Sequence, residues 1–432
     1  MLLLLLPALL GLAQAGAPAP APSPAAARAP TVEEMIGRIR SRWVPFEERM
    51  AWLERLAGSG RRLELEQVRP LRRSARGEWL ADYARCLALC GASAIEDLRE
   101  LAERRDPVVR AEAVYALVQL DAAGGEAFGR RILADRRQPA EARVAALRGL
   151  DARRSPFARP EALRWLAQSD QSLLWECLAV LRRNPDLADA PYLVDLLHRR
   201  SGRAANEAVR LLQRLTGYKV GRDPEAWRYW LLKHEAEGTP FRAPAASADD
   251  QTVSVAWHGI PILGEKVVFV LDSSGSMEAP LAENPGETRG SRAVAELLRL
   301  LPQLPERAEF DLIFFESSVH SFAHRLVSRR PETLAEAAAW LRRRRFAGAT
   351  NLSGGLREAF AREGVEEIFL LSDGEPSAGE VTDPDRIAAQ VRRWNRWRNV
   401  RLNTVSFGAP AAARDFLADL ARNHDGVCRT IW

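Results

Sequence analysis

The sequence predicts a multi-domain protein: an N-terminal α-solenoid, then an α/β half built on a doubly wound, mainly parallel sheet. Three observations carry this. The chain has 432 residues, too many for one ordinary core. From Thr31 to Glu237 amphipathic helical periodicity recurs, with few β-branched runs. From Thr252 onward, apolar runs of strand length alternate with helical stretches, the pattern of parallel strands joined by crossover helices. The expected organisation is therefore a leader at 1–15, a spacer at 16–30, helical repeats at 31–237, a linker at 238–251 and the α/β domain at 252–432.

Residues 1–15 read as a signal peptide. An apolar run of about a dozen residues ends in Ala13-Gln14-Ala15, a small-x-small cleavage pattern. The run is short for a bilayer span, and no cysteine follows it to carry a lipid. Residues 16–30 are rich in Ala and Pro, as in a spacer. This predicts a secreted, periplasmic or cell-surface protein with no transmembrane segment. The net charge is +5, and basic and acidic side chains nearly balance beyond residue 252. That leaves no electrostatic footprint for nucleic acid, and the upstream surplus reads as solvated helix faces. Cys86, Cys90, Cys177 and Cys428 read as thiols: the first two are one helical turn apart, where a bridge would strain the helix, and no second cluster supports zinc.

The helical half carries an internal repeat. "AVYAL" (Ala113 to Leu117), "ALRGL" (Ala146 to Leu150), "CLAVL" (Cys177 to Leu181) and "AVRLL" (Ala208 to Leu212) each place a small residue four before a leucine. Their spacings are 33, 31 and 31 residues. A small residue lets a neighbouring helix approach closely, and the leucine one turn later fills the groove. A period of about 32 residues with two helices per unit means stacked helix pairs. "DPVVRAEAVYAL" (Asp106 to Leu117) resembles HEAT-type repeats, with Asp-Pro opening a helix. In "RLTGYKVGRDPEAWRYWL" (Arg214 to Leu231), Gly217 can end one helix and Asp223-Pro224 start the next. Trp227 and Trp230 then cover the end of the stack. "KHEAE" starts like a zincin helix motif but fails at Gly238.

The α/β half opens with "TVSVAW" (Thr252 to Trp257), which alternates like an edge strand, and "KVVFVLD" (Lys266 to Asp272), a buried one. Further strands are expected at 309–315, 366–373, 401–407 and 427–432, with helices at 291–304, 332–344, 352–361, 384–397 and 413–424. Ligands of such sheets bind at the carboxyl ends of the strands. There Asp272, Ser274 and Ser276 leave the central strand on alternate positions, so their oxygens can converge. "GATNLSGGL" (Gly348 to Leu356) supplies Thr350 before a helix, and Asp373 ends another strand in "LLSDGEPSAG".

This combination resembles the von Willebrand factor type A (VWA) domain and its metal-ion-dependent adhesion site (MIDAS): Asp-x-Ser-x-Ser, a distant threonine, a distant aspartate. Asp272, Ser274, Ser276, Thr350 and Asp373 match it in order. The loop "EAPLAENPGETRG" (Glu278 to Gly290) is longer than the pattern and lies beside the site, where it shapes or obstructs access. Two carboxylates and three hydroxyls are hard oxygen donors that suit Mg²⁺, with Mn²⁺ or Ca²⁺ as alternatives. The resemblance implies that an acidic side chain of a protein partner completes the ion's shell. No G-x-S-x-G, no phosphate-binding G-x-x-x-x-G-K-[ST] and no histidine beside the motif argue for an enzyme. His320 and His324 read as surface residues, and "RRRR" at 342–345 as a solvated helix end. The expected function is metal-dependent protein binding of the adhesion type. The alternative is a scaffold whose helical repeats bind the partner while the metal only stiffens the loops.

Overall fold

The computed structural model describes residues 29–72, 77–167, 170–237, 255–281 and 284–431. The expected leader, most of the spacer, and the linker at 238–251 lie outside the described residues.

The first part is helical. It comprises α1 (Val32–Arg40), α2 (Phe46–Ala57), α3 (Leu65–Val68), α4 (Gly77–Ala88), α5 (Ile95–Ala102), α6 (Pro107–Leu120) and α7 (Gly125–Ala134). It continues through α8 (Ala140–Ala152), α9 (Ala158–Trp165), α10 (Gln171–Arg183), α11 (Ala190–Arg199), α12 (Gly202–Thr216) and α13 (Pro224–Glu237). Helices α2, α4, α6, α8, α10 and α12 pack one against the next in a row. The four repeated pentapeptides fall on α6, α8, α10 and α12, and their small residues and leucines are all buried. Cys177 thus occupies an alanine slot in the core. Local chemistry sets the ends. Asp106 accepts from the Val108 and Val109 amides at 3.0 and 3.1 Å with Pro107 in the first turn, and Gly217 closes α12 at φ 72°. Trp227 is buried against the half-buried Trp230.

The second part is a mostly parallel sheet between helices. Of the expected edge strand at 252–257, residues 252–254 lie outside the described residues, and Ala256–Trp257 form β1 of a short antiparallel pair with β2 (Ile260–Pro261). It stands apart from the main sheet because Trp257 folds over it, edge-on to Phe269 and Phe369. The main strands are β3 (Lys266–Asp272), β4 (Glu309–Phe315), β5 (Val319–Ser321), β6 (Val327–Ser328), β7 (Glu367–Ser372), β8 (Arg401–Phe407) and β9 (Cys428–Ile431). Their order is β5-β4-β3-β7-β8-β9, with β6 also on β4. β4, β3, β7, β8 and β9 run parallel, whereas β5 and β6 are antiparallel additions. The helices are α14 (Arg289–Leu300), α15 (Pro331–Arg342), α16 (Leu352–Phe360), α17 (Pro384–Asn395) and α18 (Ala411–Arg422). Two apolar clusters, one on each face of the sheet, form its core.

The two parts share a polar seam that the charge pattern had suggested were solvated faces. The seam runs along the amino-terminal edge of the parallel strands. Arg393 of α17 binds Asp82 of α4 at 2.7 Å and Glu54 of α2 at 3.2 Å. Arg396 pairs with Glu112 of α6, and the Trp397 indole donates to the same carboxylate at 3.2 Å. Trp397 itself is buried within the helical core cluster. Arg148 of α8 donates to the Arg396 carbonyl, and Arg203 of α12 to the Asn399 and Glu366 carbonyls at 2.8 and 3.2 Å. Nearly every helix of the row therefore contributes one side chain to the base of the sheet.

Candidate metal centre

β3 lies between β4 and β7, so the chain leaves it toward one neighbour and returns on the other side. That is the topological switch point, where the carboxyl ends of the strands open a crevice. Asp272 is the last residue of β3 and is buried there. The chain continues extended through Ser274 (ψ 167°) into a tight turn at Gly275–Glu278, which sends alternate side chains the same way. Ser273 points aside and donates to the Phe315 carbonyl at 3.1 Å, whereas Ser274 and Ser276 approach each other, hydroxyl to hydroxyl, at 3.0 Å.

The other donors arrive on neighbouring loops. Asp373 directly follows β7, and its Oδ1 accepts from the Ser276 hydroxyl at 2.8 Å. Thr350 precedes α16. A β-carbon placed on Gly374 would stand 3.9 Å from Ser276 Oγ and 4.0 Å from Thr350 Oγ1, so the threonine faces the same spot. The turn carrying it is pinned twice: Gly275 N–H donates to the Gly348 carbonyl at 3.0 Å, and Asn351 N–H to that of Glu316 at 2.7 Å. The structure thus brings Asp272, Ser274, Ser276, Thr350 and Asp373 to one strand edge.

Electrostatics mark the place. Burial pushes the Asp272 carboxyl up to about 6; hydrogen bonds from Ser274 and Ser372 oppose this, and the Asp373 charge adds to it. No cationic side chain pairs with Asp272 among the described residues, although a second carboxylate stands close by. A buried carboxylate flanked by neutral hydroxyl oxygens and left without a counter-ion is a donor set that fits a hard divalent cation.

Sequence reasoning missed several supporting residues. Ser372 donates to Asp272 Oδ2 at 2.7 Å, and the Ser274 amide to Oδ1 at 2.9 Å, fixing the carboxylate. Ser377 clamps Thr350, its hydroxyl accepting from the Thr350 amide at 3.0 Å while its own amide donates to the Thr350 carbonyl at 3.0 Å. Arg344 is not a solvated helix end: it reaches Ser273 Oγ at 3.2 Å. Arg289, at the end of the long loop, binds Asp373 Oδ2 at 2.7 Å. His320 and His324 sit outside the site, on Glu316 and Glu358.

Comparison with known proteins agrees with this architecture. Residues 265–430 match the family model of the von Willebrand factor type A domain, so this part of the chain is VWA-like. Inter-alpha-trypsin inhibitor heavy chain H1 of Sus scrofa is 34% identical over 158 residues, covering 34% of this chain and 16% of that protein. Heavy chain H3 of Homo sapiens is 28% identical over 187 residues, 40% of this chain and 20% of that one. The chain therefore spans only a fifth or less of the length of these relatives. Among solved structures, a von Willebrand factor type A protein from Catenulispora acidiphila overlaps 40% of each chain at 17% identity with a TM-score of 0.32. The SpRpn10 VWA domain overlaps 38% of this chain and 87% of its own at 14% identity, with a TM-score of 0.30.

Proposed function

We propose that this chain is an exported binding protein that captures a protein partner through a divalent cation, Mg²⁺ in the first place, held as in a MIDAS by Asp272, Ser274, Ser276, Thr350 and Asp373. The observation that carries the reading is the convergence of those five oxygen side chains at the switch point of a VWA-like sheet, around a buried carboxylate with no cationic partner. When bound, the ion supplies an electrophilic position that attracts an acidic side chain of the partner. The protein's own residues do the rest. Asp272 provides the anchoring charge, Ser372 and the Ser274 amide hold its orientation, and three neutral hydroxyls bind without cancelling the ion's charge. The Ser377 clamp keeps Thr350 at hand.

The helical half, read as a HEAT-like platform, presents that end. Its row of helices already contacts the base of the sheet, which favours the metal end over the scaffold alternative as the partner site. Binding rather than catalysis is proposed, because no nucleophile–base pair adjoins the cluster among the described residues. Export rests on residues 1–15. No helix among the described residues is long and apolar enough to cross a membrane.

The test is calorimetric titration with Mg²⁺ together with a pull-down from the exported fraction, with and without EDTA. The unaltered protein should bind the ion and capture a partner, and both should be lost in Asp272→Ala. Capture that survives EDTA and Asp272→Ala alike would sink the proposal and favour the scaffold reading.

A further inference from the structure

The described ends of the long loop before α14 pair with each other. Pro280 pairs with Thr288 in an antiparallel bridge, Leu281 N–H donates to the Glu287 carbonyl at 2.9 Å, and Arg289 N–H to that of Ala279 at 3.1 Å. Thr288 and Ser291 form a reciprocal cap, so α14 starts at Arg289. A cation in the first turn of a helix opposes the helix dipole, so something else must hold Arg289 there. Two contacts do. Its Nη1 donates to Asp373 Oδ2 at 2.7 Å, on a carboxylate that has no exposed side-chain surface. Its guanidinium also lies on Gly408, at the end of β8 with φ 62°, where a β-carbon would come within 2.8 to 2.9 Å of Nη2, Cζ and Nε. The same aspartate spends its other oxygen on Ser276 at 2.8 Å. One carboxylate thus links the guanidinium to a donor of the metal cluster.

Charge counting gives this link a consequence. Asp272 and Asp373 together just balance a divalent ion. With Arg289 added, the ion-loaded cluster carries one net positive charge instead of none. We propose that Arg289 is a specificity-determining residue of the metal site: it lowers the site's affinity for the bare cation and raises the loaded site's affinity for a carboxylate-bearing partner. The inference rests on the metal-dependent binding proposed above. Both effects would come from one charge held on a carboxylate of the site, and they have opposite signs. A residue that merely shaped the pocket would change both affinities in the same direction.

The experiment uses the full chain, Arg289→Gln and Arg289→Lys. Mg²⁺ affinity is measured by calorimetry. Carboxylate capture is measured at saturating Mg²⁺ by fluorescence anisotropy of a labelled octaglutamate peptide, with the signal remaining in EDTA subtracted. Arg289→Gln should bind Mg²⁺ roughly tenfold more tightly and the peptide roughly tenfold more weakly. Arg289→Lys should stay near the unaltered protein in both, because it keeps the charge. Gly408→Ala, which displaces the guanidinium from its seat, should shift both constants in the same directions as Arg289→Gln. Unchanged Mg²⁺ affinity in Arg289→Gln, or a fall in both affinities, would overturn the role of Arg289 alone. An unaltered protein that binds no Mg²⁺ would overturn this proposal together with the reading beneath it.

Discussion

At the scale of single residues, the candidate donors were legible because each is a small oxygen side chain at a strand end or tight turn, and alternation along an extended chain is a property of sequence. The residues that support them were not. Ser372 and Ser377 differ in no local way from other loop serines, and Arg289 looks like one of many surface arginines until the loop closes. Glu366 is a second case. Burial raises its carboxyl to about 7 from the usual value near 4.5, against a hydrogen bond from the Glu265 amide. The folded protein therefore holds this proton more tightly than the unfolded chain does. Stability from this group is complete below the unfolded value and is lost as pH rises through about 7. Glu366→Gln should accordingly gain stability relative to the unaltered protein between pH 5 and pH 8, on the order of 2–3 kcal/mol. Urea unfolding of both proteins at the two pH values measures this, and an equal difference at both would refute it.

At the scale of elements, an uninterrupted apolar run defined β3 to the residue, because a strand buried on both faces needs no alternation. β4 and β8 were bounded equally well, although Asp311 interrupts the first and Arg401, Asn403, Thr404 and Ser406 the second. β5 and β6 were missed: "VHS" and "VS" are too short and polar to carry a period, and only pairing with β4 makes them strands. The start of α14 was misplaced by two residues because the Thr288–Ser291 cap lacks the usual acidic partner. Close approach is the other hidden variable. α16 lies so near β4 that a β-carbon on Gly355 would meet Phe315 Cδ1 at 2.9 Å. Gly355→Ala should cost about 1–3 kcal/mol by overpacking. Because α16 begins just after Thr350, Mg²⁺ affinity should drop as well. Thermal melting and calorimetry on the same sample test both, and a variant as stable as the parent would show that the helix can shift freely.

At the scale of the whole molecule, a helix-rich half followed by a mostly parallel α/β half was legible but their junction was not. Glu54, Asp82, Glu112, Arg148 and Arg203 each lie on a different helix of the row, at intervals that solvated faces also show. Nothing local marks them as partners of residues some two or three hundred positions away. The clearest anchor is Trp397, which leaves the end of α17 and is buried in the helical core, with the Arg148 and Arg396 guanidinium groups 5.0 and 4.9 Å from its ring. Trp397→Ala should cost about 3–5 kcal/mol. It should also split a single calorimetric unfolding transition into two, one for each half. A variant that still melts in one step would mean that the arginine pairs alone hold the halves together.

The seam and the candidate metal site occupy opposite ends of the same parallel strands, which gives the molecule a mechanical axis. A partner tugging on the bound ion would load β3 and β7 lengthwise, the direction in which many interstrand hydrogen bonds share the strain at once. The pull would then reach the helical half through Arg393, Arg396 and Trp397, whose contacts separate one after another. Under tension the joint is therefore the fuse, and the sheet outlasts it.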